Sequence, residues 1–404
     1  MTKDIFAPTS ILLPKGIPME QWAVIACDQF SSERDYWQRV KQLVGDSPST
    51  YNLIIPEAYL DEINEDEEID NITSVMDDYI GSEFLQEIND SFVYVERTLS
   101  DGRVREGLVG AVDLEAYDFS SDTAAIRASE GTVLDRLPPR IRIRCKASME
   151  LPHIITFIDD SEDFVMSPLR NKKKTFAELY SFTLMQGGGH IKGMLVNGED
   201  ARDVVEAIRT LHKKSDMLMV MGDGNHSLAA AKVYWDDLKG SLSEEQRLNH
   251  PARHALVELN NVYDDAIDFE AIHRIIFDTN PQKLISAFKE KIEPGTDYVL
   301  RWVTNGKSGE IGVAAGCIGD MLSVMQEFLD EYSKETGCRI DYIHGEDSVM
   351  NLSQCETNLG LILPAMEKSE FFATVASRGV FPKKSFSVGH ANDKRYYLEC
   401  RLIK

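Results

Sequence analysis

Positive charge is scarce in this chain: 43 lysines and arginines stand against 67 aspartates and glutamates, a formal charge of −24 over 404 residues. Such a balance repels a phosphate backbone, so nucleic acid is not an expected partner. The one basic run, Lys172-Lys173-Lys174, is short and reads as a solvated loop rather than a phosphate site. Long apolar runs are missing too. No stretch approaches the roughly 18 residues that span a bilayer, and the opening MTKDIFAPTSILLPKGIP lacks the basic region, hydrophobic segment and cleavage site of a signal peptide. No membrane partner is expected. Six cysteines occur without a C-x-x-C pair or the regular spacing of a disulfide framework, which points to a reducing, cytoplasmic setting.

What is present is a globular composition, 43% hydrophobic and 27% charged. The length predicts two or three domains, with soft boundaries at 1–130, 131–274 and 275–404, or one large composite domain. After a proline-rich arm come a strand over 22–26 and a helix over 31–45, with Ser31 as N-cap and Gly45 as stop. Asp28 lies at their junction, where it serves either as a turn residue or as a group facing a cleft. The acidic stretch LDEINEDEEID reads as a solvated loop or helix end, without the ligand spacing of a calcium loop. Two strand-like runs, FVYVERTL and RVREGLVGAVDL, flank Ser100-Asp101-Gly102 and predict a hairpin. The segment 120–150 reads as irregular and carries a basic strand, IRIRCK. A buried strand LPHIITFI, a helix KTFAELYSF and the glycine run of MQGGGHIKGMLVN follow. That run lacks the spacing of a P-loop or a dinucleotide site and fits a tight turn.

EDARDVVEAIRTLHKKS predicts an amphipathic helix with basic residues in its last turn. It leads into LMVMGDGNHSLAAAK, a buried strand that breaks at glycine and resumes as a helix. HALVELNNVYD is a strand, and EAIHRIIF begins a new unit. Helices near 281–291, 321–336, 347–354 and 368–378 then alternate with strands near 297–304, 310–314, RIDYIHG and LGLILPAM, before a final strand. The fold class is α/β (mixed α+β), with mixed, partly parallel sheets.

The strand-turn-helix at 218–232 carries the richest chemistry. Backbone N–H groups at a helix start are unpaired and the dipole there is positive, so the turn is a natural anion site. Gly222 and Gly224 let a ligand approach, Asp223 can hold Mg²⁺ or take a hydroxyl proton, and His226 can donate to a phosphate or move a proton. A purely structural role fits the same residues: Asn225 or Ser227 as helix cap, Asp223 in an Asx turn, His226 as a bonded core histidine. Zinc is disfavoured, because no H-x-x-x-H or cysteine pair accompanies His226.

The order of motifs resembles the bacterial and archaeal domain-of-unknown-function family 1015. Arg105-Glu106-Gly107-Leu108 matches its R-x-G-L strand, Ser129-Glu130-Gly131-Thr132 and Asp135-Arg136 its H-E-x-T and D-R, and Asp223-Gly224-Asn225-His226-Ser227 its D-G-H-H-R. His273-Arg274 and Pro382-Lys383-Lys384-Ser385 match its later H-R and P-x-K-S. Asn225, Ser227 and Ser129 depart from the pattern. Ser227 lacks the bidentate contact of the arginine it replaces, so Arg136, Arg274 or Lys384 would supply the phosphate-binding charge.

The corner also looks like the nucleotide-binding motif of the ParB and sulfiredoxin-like superfamily, which includes free serine kinases. That resemblance implies phosphate near Gly222, Gly224, Asn225 and Ser227, Mg²⁺ at Asp223, and ADP or ATP as a substrate. It implies Lys384 and Ser385 near the phosphate, Asp28 and His273 near a small-molecule substrate, and a carboxylate, Glu130 before Asp28, acting on a hydroxyl. Glu130 fits a salt bridge to Arg136 equally well. The expected activity is phosphoryl transfer between a nucleotide and a small hydroxylated metabolite, serine or phosphoserine first. A non-catalytic nucleotide- or metabolite-binding regulator and a metal-dependent hydrolase or phosphatase are the alternatives.

Overall fold

The computed structural model describes residues 4–404, except for the side chain of Arg136. The chain forms two units: Thr132–Ile267 with the segment before Ser129 and the tail His390–Lys404, and Asp268–Gly389 with Ser129–Gly131. The chain thus leaves the first unit after Ile267 and re-enters it at His390.

The first unit is built on an eleven-stranded mixed sheet. Its path runs Glu178–Thr183, His190–Val196, Leu85–Thr98, Val104–Asp113, His254–Asn261, Ile155–Ile158, Met219–Asp223, Ile126–Arg127 and Tyr117–Asp118, with Phe6–Ala7 and Thr9–Pro14 on side branches. Most pairs are antiparallel; His254–Asn261 runs parallel to Ile155–Ile158, and Ile126–Arg127 parallel to both of its neighbours. The hairpin over Ser100-Asp101-Gly102 forms as the sequence predicts, closed by Leu99 N–H on the Arg103 carbonyl at 2.8 Å. Helix Gly198–Lys214 buries Ala201, Val204, Val205, Ile208 and Leu211, the one-face spacing that its sequence shows. These side chains join Phe92, Met194, Met219 and Trp235 in one core.

Three local expectations are overturned. KTFAELYSF contains a strand, Glu178–Thr183, not a helix: Tyr180 and Phe182 alternate into the core, and the following glycines turn it back onto His190–Val196. IRIRCK is the end of helix Leu137–Lys146 rather than a strand. Its arginines bind separate acids, Arg140 to Glu57, Arg142 to Glu65 and Asp66, and Arg144 to Glu150, so the alternation came from charge pairing and not from a pleat. Of the two readings of the acidic stretch, the helix end holds: it opens helix Glu65–Ile80, where four acids in the first turn suit the helix dipole. The helix predicted from Ser31 starts at Arg34, and Glu33 is its N-cap.

The tail docks through charge. Arg395, 2% exposed, lies 2.9 Å from Glu258 and 2.6 Å from Glu399. Arg105 stands 3.6 Å from Glu258 on its other oxygen, and Arg97 and Arg105 also donate to the carbonyls of Asn392 and Asp393. A Cβ on Gly107 would meet the Glu258 carboxylate at 2.5 Å, which explains glycine in the Arg105-Glu106-Gly107-Leu108 strand. Tyr396–Tyr397 and Arg401–Leu402 then pair with Val24–Ile25 and Met149–Glu150.

The second unit is a six-stranded sheet. Its path is Lys307–Val313, Pro294–Thr304, Leu359–Ile362, Phe269–Phe277 and Arg339–His344, with Phe386–Val388 on Phe269–Phe277. Phe269 stacks on Phe371 at 4.7 Å, with Phe381 and Phe386 around them. No helix among the described residues is long and apolar enough to cross a membrane.

Arg395→Leu should strip Glu258 and Glu399 of their buried countercharge and lower unfolding stability by about 3–5 kcal/mol. A urea titration followed by tryptophan fluorescence measures it, and a loss under about 1 kcal/mol would contradict the role given to the tail.

Candidate functional site

The corner forms as the sequence predicts, a strand Met219–Asp223 running straight into a helix Asn225–Lys239. Gly224 sits at φ +79° as the helix N-cap, and a Cβ there would press on Ile154 at 3.1 Å; one on Gly222 would strike Phe157 at 2.4 Å. Both positions need glycine for this turn.

Asp223 Oδ1 accepts the Gly224 N–H at 2.8 Å, and Oδ2 lies 3.2 Å from the ammonium of Lys394. Burial pushes the carboxyl up, but Lys394, His153 and the Gly224 amide together hold it below its ordinary value of 3.8. Asp223 is therefore a carboxylate at neutral pH, able to hold a cation and unable to act as an acid. The turn's amides are partly spent on the fold: Ser227 and Leu228 donate to the Gly224 carbonyl at 3.0 and 3.1 Å. What charges the corner is Lys394, a residue of the returning tail that no motif marked.

His226 Nε2 accepts the Val133 N–H at 3.3 Å, so the neutral ring carries its proton on Nδ1. His153 is the second imidazole here and was missed by the sequence reading. It lies in the segment before strand Ile155–Ile158, 8% exposed, with Nε2 4.0 Å from Asp28 Oδ2 and its ring edge-on to Tyr397 at 5.4 Å. Its signal was the His153 of LPHIITFI, read only as part of a buried strand. Asp28 also accepts from Gln29 at 3.0 Å. The side chain of Arg136 lies outside the described part, so neither its phosphate role nor its pairing with Glu130 has a geometry here.

Below this corner the first unit holds a cavity of about 440 Å³. Its lining includes Ser227 and Ala230 of the helix, His153, Cys27 and Tyr397.

The remaining sequence candidates, Glu130, His273, Arg274, Lys384 and Ser385, gather in the second unit. Glu130 forms a parallel bridge with Phe381, beside the Pro382–Ser385 motif. Arg274 is fully buried; its Nε donates to Gln326 at 3.1 Å and its guanidinium lies 4.5 Å from the Tyr342 ring. Burial lowers its pKa to about 10, against the attraction of Tyr342, Glu130 and Asp330. The Lys384 ammonium stands 5.2 Å from the same ring, and Lys384 holds φ +55°. Ser385 Oγ donates to the Pro382 carbonyl at 2.6 Å. His273 Nδ1 accepts the Leu363 N–H at 3.2 Å, and burial holds its pKa below the ordinary 6.5, so it stays neutral.

The fold and its corner define a class, a mixed α/β protein whose main sheet ends in a glycine-flanked, lysine-backed acidic turn. The chain belongs to the family described as protein of unknown function (DUF1015), which matches residues 12–392. No curated protein matches. Among solved structures the chain is similar to a free serine kinase in complex with AMP, at 13% identity over 71% of this chain and 90% of that one, TM-score 0.38. It is also similar to a conserved hypothetical protein from Pyrococcus furiosus, at 13% identity over 71% and 92%, TM-score 0.36. A third is C-terminally truncated SbnI from Staphylococcus aureus, at 10% identity over 70% and 82%, TM-score 0.36.

Because its folded pKa is depressed, Asp223 contributes stability that is complete above its unfolded value, near 3.8, and lost as pH falls through the folded value. Lys394→Met should raise the Asp223 pKa and shift the onset of acid unfolding to higher pH. Carboxyl NMR titration together with pH-dependent circular dichroism measures both, and an unmoved Asp223 pKa would refute the pairing.

Proposed function

We propose that the protein transfers a phosphoryl group between a nucleotide and a small hydroxylated metabolite, with serine or phosphoserine as the first candidates. The observation that supports this most is the Asp223–Lys394 pair at the start of helix Asn225–Lys239. It places a carboxylate and an ammonium together at the positive end of a helix dipole, the kinds of group that phosphoryl transfer requires.

In this reading Lys394 and the helix dipole receive the phosphate oxygens. Lys394 thereby takes the place of the arginine that Ser227 replaces in the D-G-H-H-R pattern. Asp223 is the one acid at the turn that accepts both a backbone N–H and a lysine, and no group of three or more His, Cys, Asp or Glu among the described residues is arranged to hold a metal. The donor set fits Mg²⁺ in its usual nucleotide-bound form, one protein carboxylate with phosphates and water completing the shell. Bound there, Mg²⁺ would supply charge neutralisation for the transferred group.

His226 and His153 are the proton carriers at the corner. His153 Nε2 stands 4.0 Å from Asp28 Oδ2. Glu130 is a proposed catalytic carboxylate in the second unit, and Glu130→Gln tests it.

Incubation with serine and labelled ATP, or phosphoserine and ADP, in the presence of Mg²⁺ should give transfer that Asp223→Ala reduces by at least about 100-fold. The same variant should keep its secondary structure by circular dichroism. Nucleotide binding without turnover across a panel of hydroxylated metabolites would replace this reading with that of a regulator. Release of inorganic phosphate without an acceptor product would replace it with that of a hydrolase.

A further inference from the structure

The cavity of about 440 Å³ in the first unit is of the size that takes a ligand much larger than serine. Its walls are mainly apolar, with Leu53, Ile54, Ile55, Ile69, Met76 and Ile143 contributing. Several come from the stretch between the first helix and the hairpin, the acidic, irregular-looking part of the sequence to which no function was attached.

Several charged groups on the lining already have partners. Glu57 lies 2.9 Å from Arg140, and Glu150 lies 2.7 Å from both Arg144 and Arg401. Burying a zwitterionic amino acid against the apolar part of these walls would be costly. A neutral ring meets no such penalty.

The polar atoms deeper in the lining are neutral as well. Tyr397 donates to the Cys27 sulfur at 3.1 Å. Burial pushes the Cys27 thiol up to about 12 and the Tyr397 phenol well above its ordinary value. Both groups keep their protons at physiological pH and suit the hydrogen-bonding edge of an uncharged heterocycle.

The cavity also lies next to the corner. Ser227, in the first turn of the helix that follows Asp223, and His153 both line it. A ligand filling this space is neutral and ring-like at one end and anionic at the other.

We propose that the cavity receives the ring of a nucleoside di- or triphosphate whose phosphates reach the Asp223–Lys394 corner. This rests on the phosphoryl-transfer reading above and adds to it the part of the molecule that selects the donor. The acceptor metabolite then binds outside the cavity.

Isothermal titration of the full chain with ADP, adenosine and inorganic pyrophosphate, each with Mg²⁺, tests the assignment. Two variants narrow the space from different depths: Leu60→Trp from the rim, where Leu60 is 37% exposed and a larger side chain leaves the core intact, and Ile55→Trp from the wall. ADP and adenosine should bind each folded variant at least about tenfold more weakly than wild type, while pyrophosphate binding is unchanged. Unchanged ADP affinity in folded Leu60→Trp and Ile55→Trp would overturn the proposal, as would wild-type ADP binding no tighter than pyrophosphate. Weakened use of the hydroxylated co-substrate with ADP unaffected would assign the cavity to the acceptor instead and also overturn it. If the wild type shows the expected binding pattern yet transfers no phosphate, the phosphoryl-transfer reading fails and the cavity assignment stands.

Discussion

Arg395 is the side chain on which the first unit's arrangement depends. It is buried against two carboxylates, Glu258 in a central strand and Glu399 four residues along its own segment. A buried guanidinium is tolerated only when its charge is met, because desolvation otherwise outweighs the attraction. Glu258 in turn is held ionised: burial raises its pKa, and Arg395, Arg105, Asn260 and Arg97 more than reverse that. The cluster is close to neutral as a whole, and it ties the last fifteen residues to the middle of a sheet assembled from the first two-thirds of the chain. Apolar packing alone would hold such a tail with less positional definition, since hydrophobic contact is not directional.

That definition matters for the neighbours of Arg395. Lys394, one residue before it, reaches Asp223; Tyr396 donates to the Met185 carbonyl at 2.9 Å, and Tyr397 meets Cys27 and His153. Along an extended segment alternate side chains face opposite ways, so one anchored arginine sets the direction of the residues on both sides. The chemistry of the corner is thus completed by a piece of chain that returns after an excursion of more than a hundred residues through the second unit. An acidic turn made only of Gly222-Asp223-Gly224 would repel phosphate. Lys394 neutralises that carboxylate within a chain whose net charge is −24.

The corner itself was legible in the sequence because its requirements are local. An apolar strand, glycines that permit a left-handed turn and an alanine-rich helix leave few alternatives for residues 218–239, and the hairpin at Asp101-Gly102 is readable for the same reason. The helix-strand exchanges at 137–146 and 178–183 were not readable from pattern. Arg140, Arg142 and Arg144 alternate with isoleucines in a way that imitates a strand, and only their partners Glu57, Glu65 and Glu150 show the helix. Glu178–Thr183 is a strand because His190–Val196 folds back onto it, which is a tertiary fact. Lys394 and His153 escaped notice because each acts at a site far from it in sequence: Lys394 lies 171 positions beyond Asp223 and His153 125 beyond Asp28. No spacing rule connects them.

The Asp223–Lys394 pair also has to be compatible with a ligand. In the structure the ammonium neutralises the carboxylate, and an incoming phosphate offers Lys394 a stronger, multiply charged partner. Transferring the lysine to phosphate would leave Asp223 buried and anionic, which burial disfavours. On the phosphoryl-transfer reading a divalent cation held by Asp223 would supply the missing countercharge while Lys394 meets the phosphate. Phosphate and cation binding should therefore be cooperative here: each supplies the countercharge that the other displaces, and either alone has to break an ion pair without replacing it. The partial burial of both side chains, 12% exposed for Lys394 and 22% for Asp223, makes this coupling stronger than it would be between solvated groups. On the proposed reading, nucleotide added without Mg²⁺ would have to compete with Asp223 for Lys394, so any metal dependence would arise in the protein's electrostatics as well as in the chemistry of the nucleotide.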